Sequence, residues 1–374
     1  MTERFRPAWV EIDLDAVRAN TRAIRDVAAP AAVMAVVKAD GYGHGAVRVA
    51  RAVLDAGAEW IGVALAEEGI ALREAGIDAP ILVLSEPAPD AADPVVATGL
   101  TPVVYTLAGL EHLAKAVAHS NTAGPLAVHL KIDTGMHRVG CAPDDARAMV
   151  EAIGERTELA LGGVCTHLAI ADEPDDPYTG EQLARFDAVL GELTAAGVDV
   201  GLRHAANSAG LLAFPAANYD LVRTGIAIYG IAPSAALADR IPLHPALSFK
   251  ARVSYVKTVA AGSRLSYGLR YEVARSARIA TVPVGYADGV PRNLAHVGGE
   301  VLVGGRRVPI AGTVTMDQIL LDVGDAPVVV GDEVVLIGRQ GDAEVTATDW
   351  ADRLGTIPYE IVCGIGPRVP RRFV

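Results

Sequence analysis

The stretch MAVVKADGYGHGA, Met34 to Ala46, decides how this chain is read. An apolar run, Met34 to Val37, stops at Lys38 and passes at once into Gly41, Gly43 and Gly45. A short run without polar alternation suits a parallel strand buried on both faces. Upstream it extends to AVMAVV (32–37). Seven runs of the same texture follow: WIGVAL (60–65), PILVLS (80–85), PVVYT (102–106), LAVHLKID (126–133), LGGVCTHL (161–168), VGLRHAAN (200–207) and DLVRT (220–224). Between them lie alanine-rich segments of helical period, such as LDAVRANTRAIRDVAA (14–29), AEEGIALREAG (66–76) and GEQLARFDAVLGELTAAG (180–197). Eight strand-then-helix units predict an α/β fold, an eight-stranded (β/α)8 TIM-type barrel. An open doubly wound sheet is the alternative.

Beyond residue 241 the texture changes. ALSFKARVSYVKTVA, SARIATVPVG, EVLVGGRRVPIAGTVTM, QILLDV and GDEVVLIGRQ mostly alternate, with glycine pairs at the turns. They predict a mostly antiparallel β domain after the barrel. The expected division is a barrel over 10–238 and a β domain over 239–374 joined by residues 1–9. Proline-containing IAPSAALADRIPLHP (231–245) is the expected linker.

Composition narrows the function. Hydrophobic residues make up 51% of the 374, enough for a large core, and the formal charge is −12. That acidity argues against a grip on nucleic-acid phosphates or an anionic membrane surface. No apolar run approaches the ~20 residues of a membrane span. Cys141, Cys165 and Cys363 show no C-x-x-C spacing, and the nine histidines form no H-E-x-x-H, so no metal site is expected. The N-terminal MTERFRPAWVEIDLDAV has no export core. A cytoplasmic enzyme is expected.

In such barrels chemistry gathers at the C-terminal ends of the strands. Lys38 ends the first. Alone it reads equally as a solvated strand cap or as an amine that forms a Schiff base. The other strand ends weigh on the choice. KIDTGMHRVG after the fifth strand carries Lys131, Asp133 and Arg138; Thr166 and His167 end the sixth; His204 to Gly210 end the seventh; Arg223 to Ile226 end the eighth. Several polar strand ends in one barrel make a site. Ser208 and Gly225 fall in the two loops that bind phosphate in many such barrels. A reactive lysine with a phosphate cup points to pyridoxal 5'-phosphate.

AVVKADGYGHG, KIDTGMHRVG, THLA, HAANSAG, VRTGIAIYG, LSYG, VGYADG, MDQ and TIPYEIVCGIGPRVPR together resemble the alanine racemases, fold-type III pyridoxal-phosphate enzymes, from residue 9 to the C-terminus. The resemblance implies two catalytic residues, Lys38 carrying the cofactor as a Schiff base and Tyr267. It implies a cofactor site of Tyr42, His167, Asn207, Ser208, Arg223, Gly225, Ile226 and Tyr359, with Arg223 facing the ring nitrogen. Arg138, Met316, Tyr271 and Tyr286 would meet or admit the amino-acid substrate. Asp317 would lie near it, and Lys131, carbamylated, would orient Arg138. A homodimer is implied, with Tyr267 and Met316 contributed to the partner's site. So is a supply of D-alanine for peptidoglycan. His137 stands where glycine is frequent and Thr315 where cysteine is frequent; neither removes a catalytic group.

Racemisation removes the Cα proton from one face and returns one to the other. Two bases on opposite faces meet that need, Lys38 for the D-face and Tyr267 for the L-face. Tyrosine, with an ordinary pKa of about 10, needs help to ionise. A cation at His167, backed by Arg223, is the expected source. Arginine can only donate, so it keeps the cofactor's ring nitrogen unprotonated and the electron sink weak. That argues against a decarboxylase of the same fold type. A serine or broad-range racemase is the nearer alternative. A non-catalytic cofactor carrier fits less well, because the LSYG-bearing second domain is present.

Overall fold

The computed structural model describes residues 5–120 and 124–374. The chain divides into two compact units. One comprises residues 15–41 and 46–244. The other holds the N-terminal residues through Leu14, the short segment Tyr42–Gly45, and Pro245–Val374.

The chain opens with β1 (Ala8–Ile12) and α1 (Leu14–Ala28). Eight parallel strands follow: β2 (Ala32–Val36), β3 (Trp60–Val63), β4 (Ile81–Val83), β5 (Thr101–Val104), β6 (Leu126–Lys131), β7 (Leu159–Cys165), β8 (Leu202–His204) and β9 (Leu221–Thr224). Each coincides with one of the eight apolar runs. Their order is β8-β7-β6-β5-β4-β3-β2-β9. Backbone hydrogen bonds from Asp220 N to Arg203 O (3.0 Å) and from Arg223 N to Ala206 O (2.9 Å) join β9 to β8 and close the barrel. Val33, Met34, Ala35 and Val36 of β2 are all buried, which is why the run does not alternate. Met34, Leu82, Val103, Cys165 and Leu221 form one core cluster. Each fully buried side chain of this size contributes about 1.5–3 kcal/mol.

The connecting helices are α2 (Lys38–Tyr42), α3 (Ala46–Asp55), α4 (Ala66–Glu74), α5 (Ala92–Ala97), α6 (Leu107–His119), α7 (Ala146–Gly154), α8 (Tyr178–Ala195) and α9 (Ser208–Ala213). In α8, Leu183, Phe186, Leu190 and Leu193 are buried at spacings of three and four, as an amphipathic helix requires. The strand-then-helix reading needs one amendment. A helix, α1, precedes the first barrel strand, and only a short 3-10 turn, Ile226–Tyr229, follows the last.

The second unit holds the antiparallel part. β15 (Glu300–Val303), β16 (Arg306–Pro309), β18 (Glu333–Gln340) and β10 (Leu247–Arg252) form a sheet extended by β1 and β20 (Arg371–Phe373). β11 (Tyr255–Val259), β14 (Ala277–Val282) and β17 (Ile319–Gly324) form a second sheet. β12 (Arg264–Leu265) and β13 (Tyr271–Glu272) form a two-residue ladder, and β19 (Ala343–Val345) pairs with β18. Helices α10 (Ala347–Leu354) and α11 (Pro358–Cys363) complete the unit.

The compact units fall a few residues from the expected division at 10–238 and 239–374. β1 lies antiparallel to β10 and parallel to β20, burying Trp9, Val10 and Ile12 in the second unit. The barrel unit therefore begins at residue 15, and it runs through His244. Asn20 explains the later end: its amide donates to Ile228 O (3.0 Å) and His244 O (2.8 Å), tying residues after β9 to α1.

Candidate active site

Lys38 follows β2 and is partly exposed. The residues after it turn the wrong way for L-amino acids. Ala39, Asp40, Gly41 and Tyr42 all have φ between 52° and 63°, a left-handed turn inside α2. Only one of the four is glycine. Such strain persists where surrounding contacts over-determine it, and it clusters at functional sites. Here the Gly41 N–H donates to Val37 O at 2.7 Å, and Asp40 Oδ1 accepts the Ala46 N–H at 2.8 Å.

Arg223, on β9, is the centre of the barrel cluster and is 6% exposed. Its Nη1 lies 3.0 Å from His204 Nδ1. Its Nη2 reaches Thr166 O (2.7 Å), Ala205 O (3.0 Å) and His167 Nδ1 (3.0 Å). A guanidinium can only donate. The Nδ1 atoms of His167 and His204 must therefore accept, so each ring keeps its proton on Nε2. His204 Nε2 lies 2.8 Å from His129 Nδ1 and donates to it, which places the proton of His129 on Nε2 as well. One arginine thus fixes the tautomers of three histidines. Room for His129 comes from glycine: a Cβ at Gly163 would lie 2.8 Å from its ring.

Burial, then the charge of Arg223, hold all three histidines below their ordinary range. His129 falls to about 4, while His167 and His204 fall well below 6.5. For His167, Lys131, Arg138 and Lys38 add to the repulsion. The expectation of a cationic His167 is therefore corrected: it is a neutral Nε2–H donor, and the charge sits on Arg223. Folding stability carries the same signature. Between pH 6.5 and 4 the unfolded chain binds a proton at His129 that the folded chain refuses. Stability is then present above the window and lost as pH falls through it, by about 3 kcal/mol for this residue. Denaturant unfolding at pH 7 and pH 4 should reveal this loss, and it should shrink in His129→Gln; equal losses in both proteins would contradict it.

Lys131 ends β6 and is 8% exposed. Burial lowers its pKa, Cys165 opposes that, and the charges of Arg223 and Arg138 lower it further. No hydrogen-bond partner serves its amine among the described residues. Asp133 is pushed up by burial but held below its ordinary value by backbone N–H groups of His137 and Gly135, both 3.0 Å from Oδ1. These bonds hold His137 at φ 55°, a conformation that suits glycine better. Arg138 is exposed, with no hydrogen-bond or ion-pair partner among the described residues.

Between β8 and β9, Ser208 Oγ accepts the Gly225 N–H (3.0 Å) and the Ala227 N–H (3.4 Å). Asn207 caps α9 through the Gly210 N–H (2.8 Å). Ser208 and Ile226 are buried. The barrel thus gathers Lys38, Lys131, Arg138, His167, Arg223, Ser208, Gly225 and Ile226 on strand ends and the turns after them.

In the second unit, Tyr267 stands on the turn Tyr267–Leu269 between β12 and β13 and is 72% exposed. Ser266 and Leu269 hold positive φ there. Thr313 clamps the turn: its carbonyl accepts from Ser266 Oγ (2.6 Å) and its hydroxyl donates to Tyr267 O (2.8 Å). Tyr267, Tyr286, Met316 and Asp317 line one cleft of about 650 Å³. The loops beneath are locked, because the Tyr286 and Ala287 N–H groups donate to Thr315 O (3.0 Å) and Met316 O (3.1 Å). A Cβ at Gly285 would lie 2.2 Å from Thr315 O. Asp317 pairs with Arg368 at 2.7 Å. Tyr271 is not among the residues lining this cleft. Its hydroxyl donates to Asp322 (2.8 Å), and burial and that carboxylate push its pKa up to about 12. The rings of Tyr42 and Tyr359 lie 6.0 Å apart in this unit. Burial, then Tyr359 and Cys363, push the acidity of Tyr42 upward in pKa.

Sequence reasoning missed the roles of His129, His204, Thr166 and Gln182. Gln182, wholly buried on α8, donates to His167 O (3.1 Å) and accepts from the Ala169 N–H (2.8 Å), fixing the turn that carries His167. Its only sequence signal is an amide on the buried face of an amphipathic helix.

A parallel barrel with a lysine, a buried arginine and a shielded histidine at its strand ends, followed by a β domain that exposes a tyrosine, defines a two-domain barrel enzyme. Comparison with known proteins makes this specific. The profile of the alanine racemase N-terminal domain matches residues 12–233, and that of the C-terminal domain matches 246–373. An alanine racemase of Symbiobacterium thermophilum is 52% identical, covering 99% of this chain and 97% of the relative. One from Thermobifida fusca is 45% identical, covering 98% of each. Among solved structures, alanine racemase from D-cycloserine-producing Streptomyces lavendulae superposes with a TM-score of 0.94, at 42% identity and 100% and 98% coverage. That of Bacillus anthracis with bound L-Ala-P gives 0.92, at 39% identity and 100% and 96% coverage. The chain belongs to the alanine racemase family, a family of isomerases. No helix among the described residues is long and apolar enough to cross a membrane, and no cluster there has the composition of a metal site.

Proposed function

We propose that this chain interconverts L-alanine and D-alanine, holding pyridoxal 5'-phosphate through Lys38 and working from both faces of Cα. The observation that carries the reading is the Arg223 cluster. Its two Nη atoms are committed to protein acceptors, while Nε has no acceptor among the described residues. That free donor suits an unprotonated ring nitrogen. Ser208 supports a phosphate in the same way: Oγ takes two backbone N–H groups, which leaves its own proton for an external acceptor. Gly225, Ile226, Asn207, Tyr42 and Tyr359 would complete the phosphate and ring contacts. When bound, the cofactor supplies a conjugated sink for the electrons of the Cα–H bond.

The rest is done by the chain. Arg138, a guanidinium without a hydrogen-bond or ion-pair partner among the described residues, would take the substrate carboxylate. A carbamate on Lys131 would turn a buried cation beside two arginines into an anion and hold Arg138 in place. Intact mass under gentle conditions should then carry the increment of one carbon dioxide, absent in Lys131→Ala; an unmodified wild-type mass would contradict this. Lys38 would move the proton on the D-face and Tyr267 the proton on the L-face. Tyr267 and Met316, both more than half exposed, would reach the barrel of a second copy in a homodimer. There the neutral His167 would donate its Nε2–H to the phenolate, with the Arg223 charge behind it. Tyr286 would narrow the approach. D-alanine for peptidoglycan, made in the cytoplasm, is the corresponding cellular role.

The test is chiral analysis of L-alanine incubated with the cofactor-loaded protein. D-alanine should accumulate toward equal amounts, faster than D-serine from L-serine. Release of carbon dioxide, or faster turnover of serine, would overturn the assignment.

A further inference from the structure

The left-handed turn after Lys38 needs something to hold it, and beside its own Asp40 a carboxylate reaches it from another strand end. Glu68 is the third residue of α4, on the turn after β3. Its Oε2 accepts the N–H groups of Ala64 (2.8 Å) and Leu65 (3.2 Å), which caps its own helix. Its Oε1 accepts the Ala39 N–H at 2.6 Å. Ala39 is the residue directly after Lys38 and the first in the left-handed conformation, at φ 52° and ψ 51°. One side chain therefore satisfies the end of β3 with one oxygen and the strained end of β2 with the other. A carboxylate accepting backbone N–H groups makes charge-assisted bonds, roughly twice as strong as neutral ones.

We infer that Glu68 is a positioning residue for Lys38: it holds the left-handed turn and thereby fixes where the lysine leaves the strand. The inference rests on Lys38 being the reactive amine. Left-handed backbone is costly for alanine and easy for glycine. Without the bond to Ala39, the turn relaxes and the amine explores positions from which it cannot move a proton. Misplacement of a reacting group by about 1 Å costs up to about a hundredfold in rate.

Glu68→Gln separates the two duties of this side chain. Glutamine serves the third helical position of a capping box as well as glutamate does. Its amide has a single acceptor oxygen, so it cannot take N–H groups on both sides. In the cofactor-loaded enzyme, kcat for alanine should fall about tenfold, with KM and melting temperature nearly unchanged. In the cofactor-free protein, hydrogen exchange of the Ala39 amide should quicken about tenfold, with other barrel amides unaltered. Ala39→Gly relieves the strain that Glu68 opposes, so it should restore most of the kcat lost in Glu68→Gln. An unchanged exchange rate at Ala39, or a failure of Ala39→Gly to restore kcat, would overturn the inference and leave Glu68 as a helix cap only. The exchange measurement involves no turnover, so it stands or falls separately from the assignment of Lys38.

Discussion

Lys38→Ala lowers kcat for alanine racemisation by at least about 10⁴-fold, the largest effect expected of any single substitution in this chain. Two roles disappear with one amine. A positioned general base contributes about 10²–10⁴, and the covalent anchor of the cofactor goes with it. The fold should survive. Lys38 is partly exposed at a strand end, and Val37 O, Glu68 and Asp40 all bond the backbone of the turn behind it. Kinetics and the melting curve should therefore separate: kcat collapses and the transition stays within a few degrees. A variant that retains more than about a hundredth of wild-type activity would remove Lys38 from the mechanism.

Tyr267→Phe produces the second largest effect, and an asymmetric one. The substitution deletes a single hydroxyl from a side chain that is 72% exposed, so stability should not change. The L-face loses its base while Lys38 still serves the D-face. Racemisation should fall about 10³-fold in both directions, within the range for a lost general acid–base group. Exchange of the Cα proton should not fall equally. D-alanine should still trade that proton with solvent and return as D-alanine, whereas L-alanine should become almost inert. Equal exchange from both enantiomers would mean that Tyr267 is not the L-face base.

The barrel was legible because its strands are buried on both faces. Eight short apolar runs carry that signature, and each became a strand. The second unit was legible where strands alternate, as in β14 and β17, and not where the chain makes two-residue ladders such as β12 and β13. There turn geometry rather than periodicity does the work, with Ser266 and Leu269 at positive φ. β1 was not read as a strand, because five residues directly before a helix carry no clear period; its place is set by pairing with β10 and β20, hundreds of positions away.

Arg223 was legible from its position beside Thr224 and Gly225. The consequence of its geometry was not. That three histidines share one tautomer pattern follows from an arginine that can only donate, and no spacing in sequence encodes it. Tyr271 has the opposite history. It was expected near the substrate from the family resemblance alone, and the bond from its hydroxyl to Asp322, fifty-one positions away, has no local signal. Glu68 gave no signal beyond an ordinary helix cap, because its second partner comes from a different strand end.

The most direct test of the two-base account is the first turnover of L-alanine in D2O, with chirality and Cα isotope read together. Two separate bases predict D-alanine that is deuterated from the start, while the L-alanine not yet converted keeps its proton. D-alanine that retains the original proton would mean that one group carries it from face to face, and the division of labour between Lys38 and Tyr267 would be wrong.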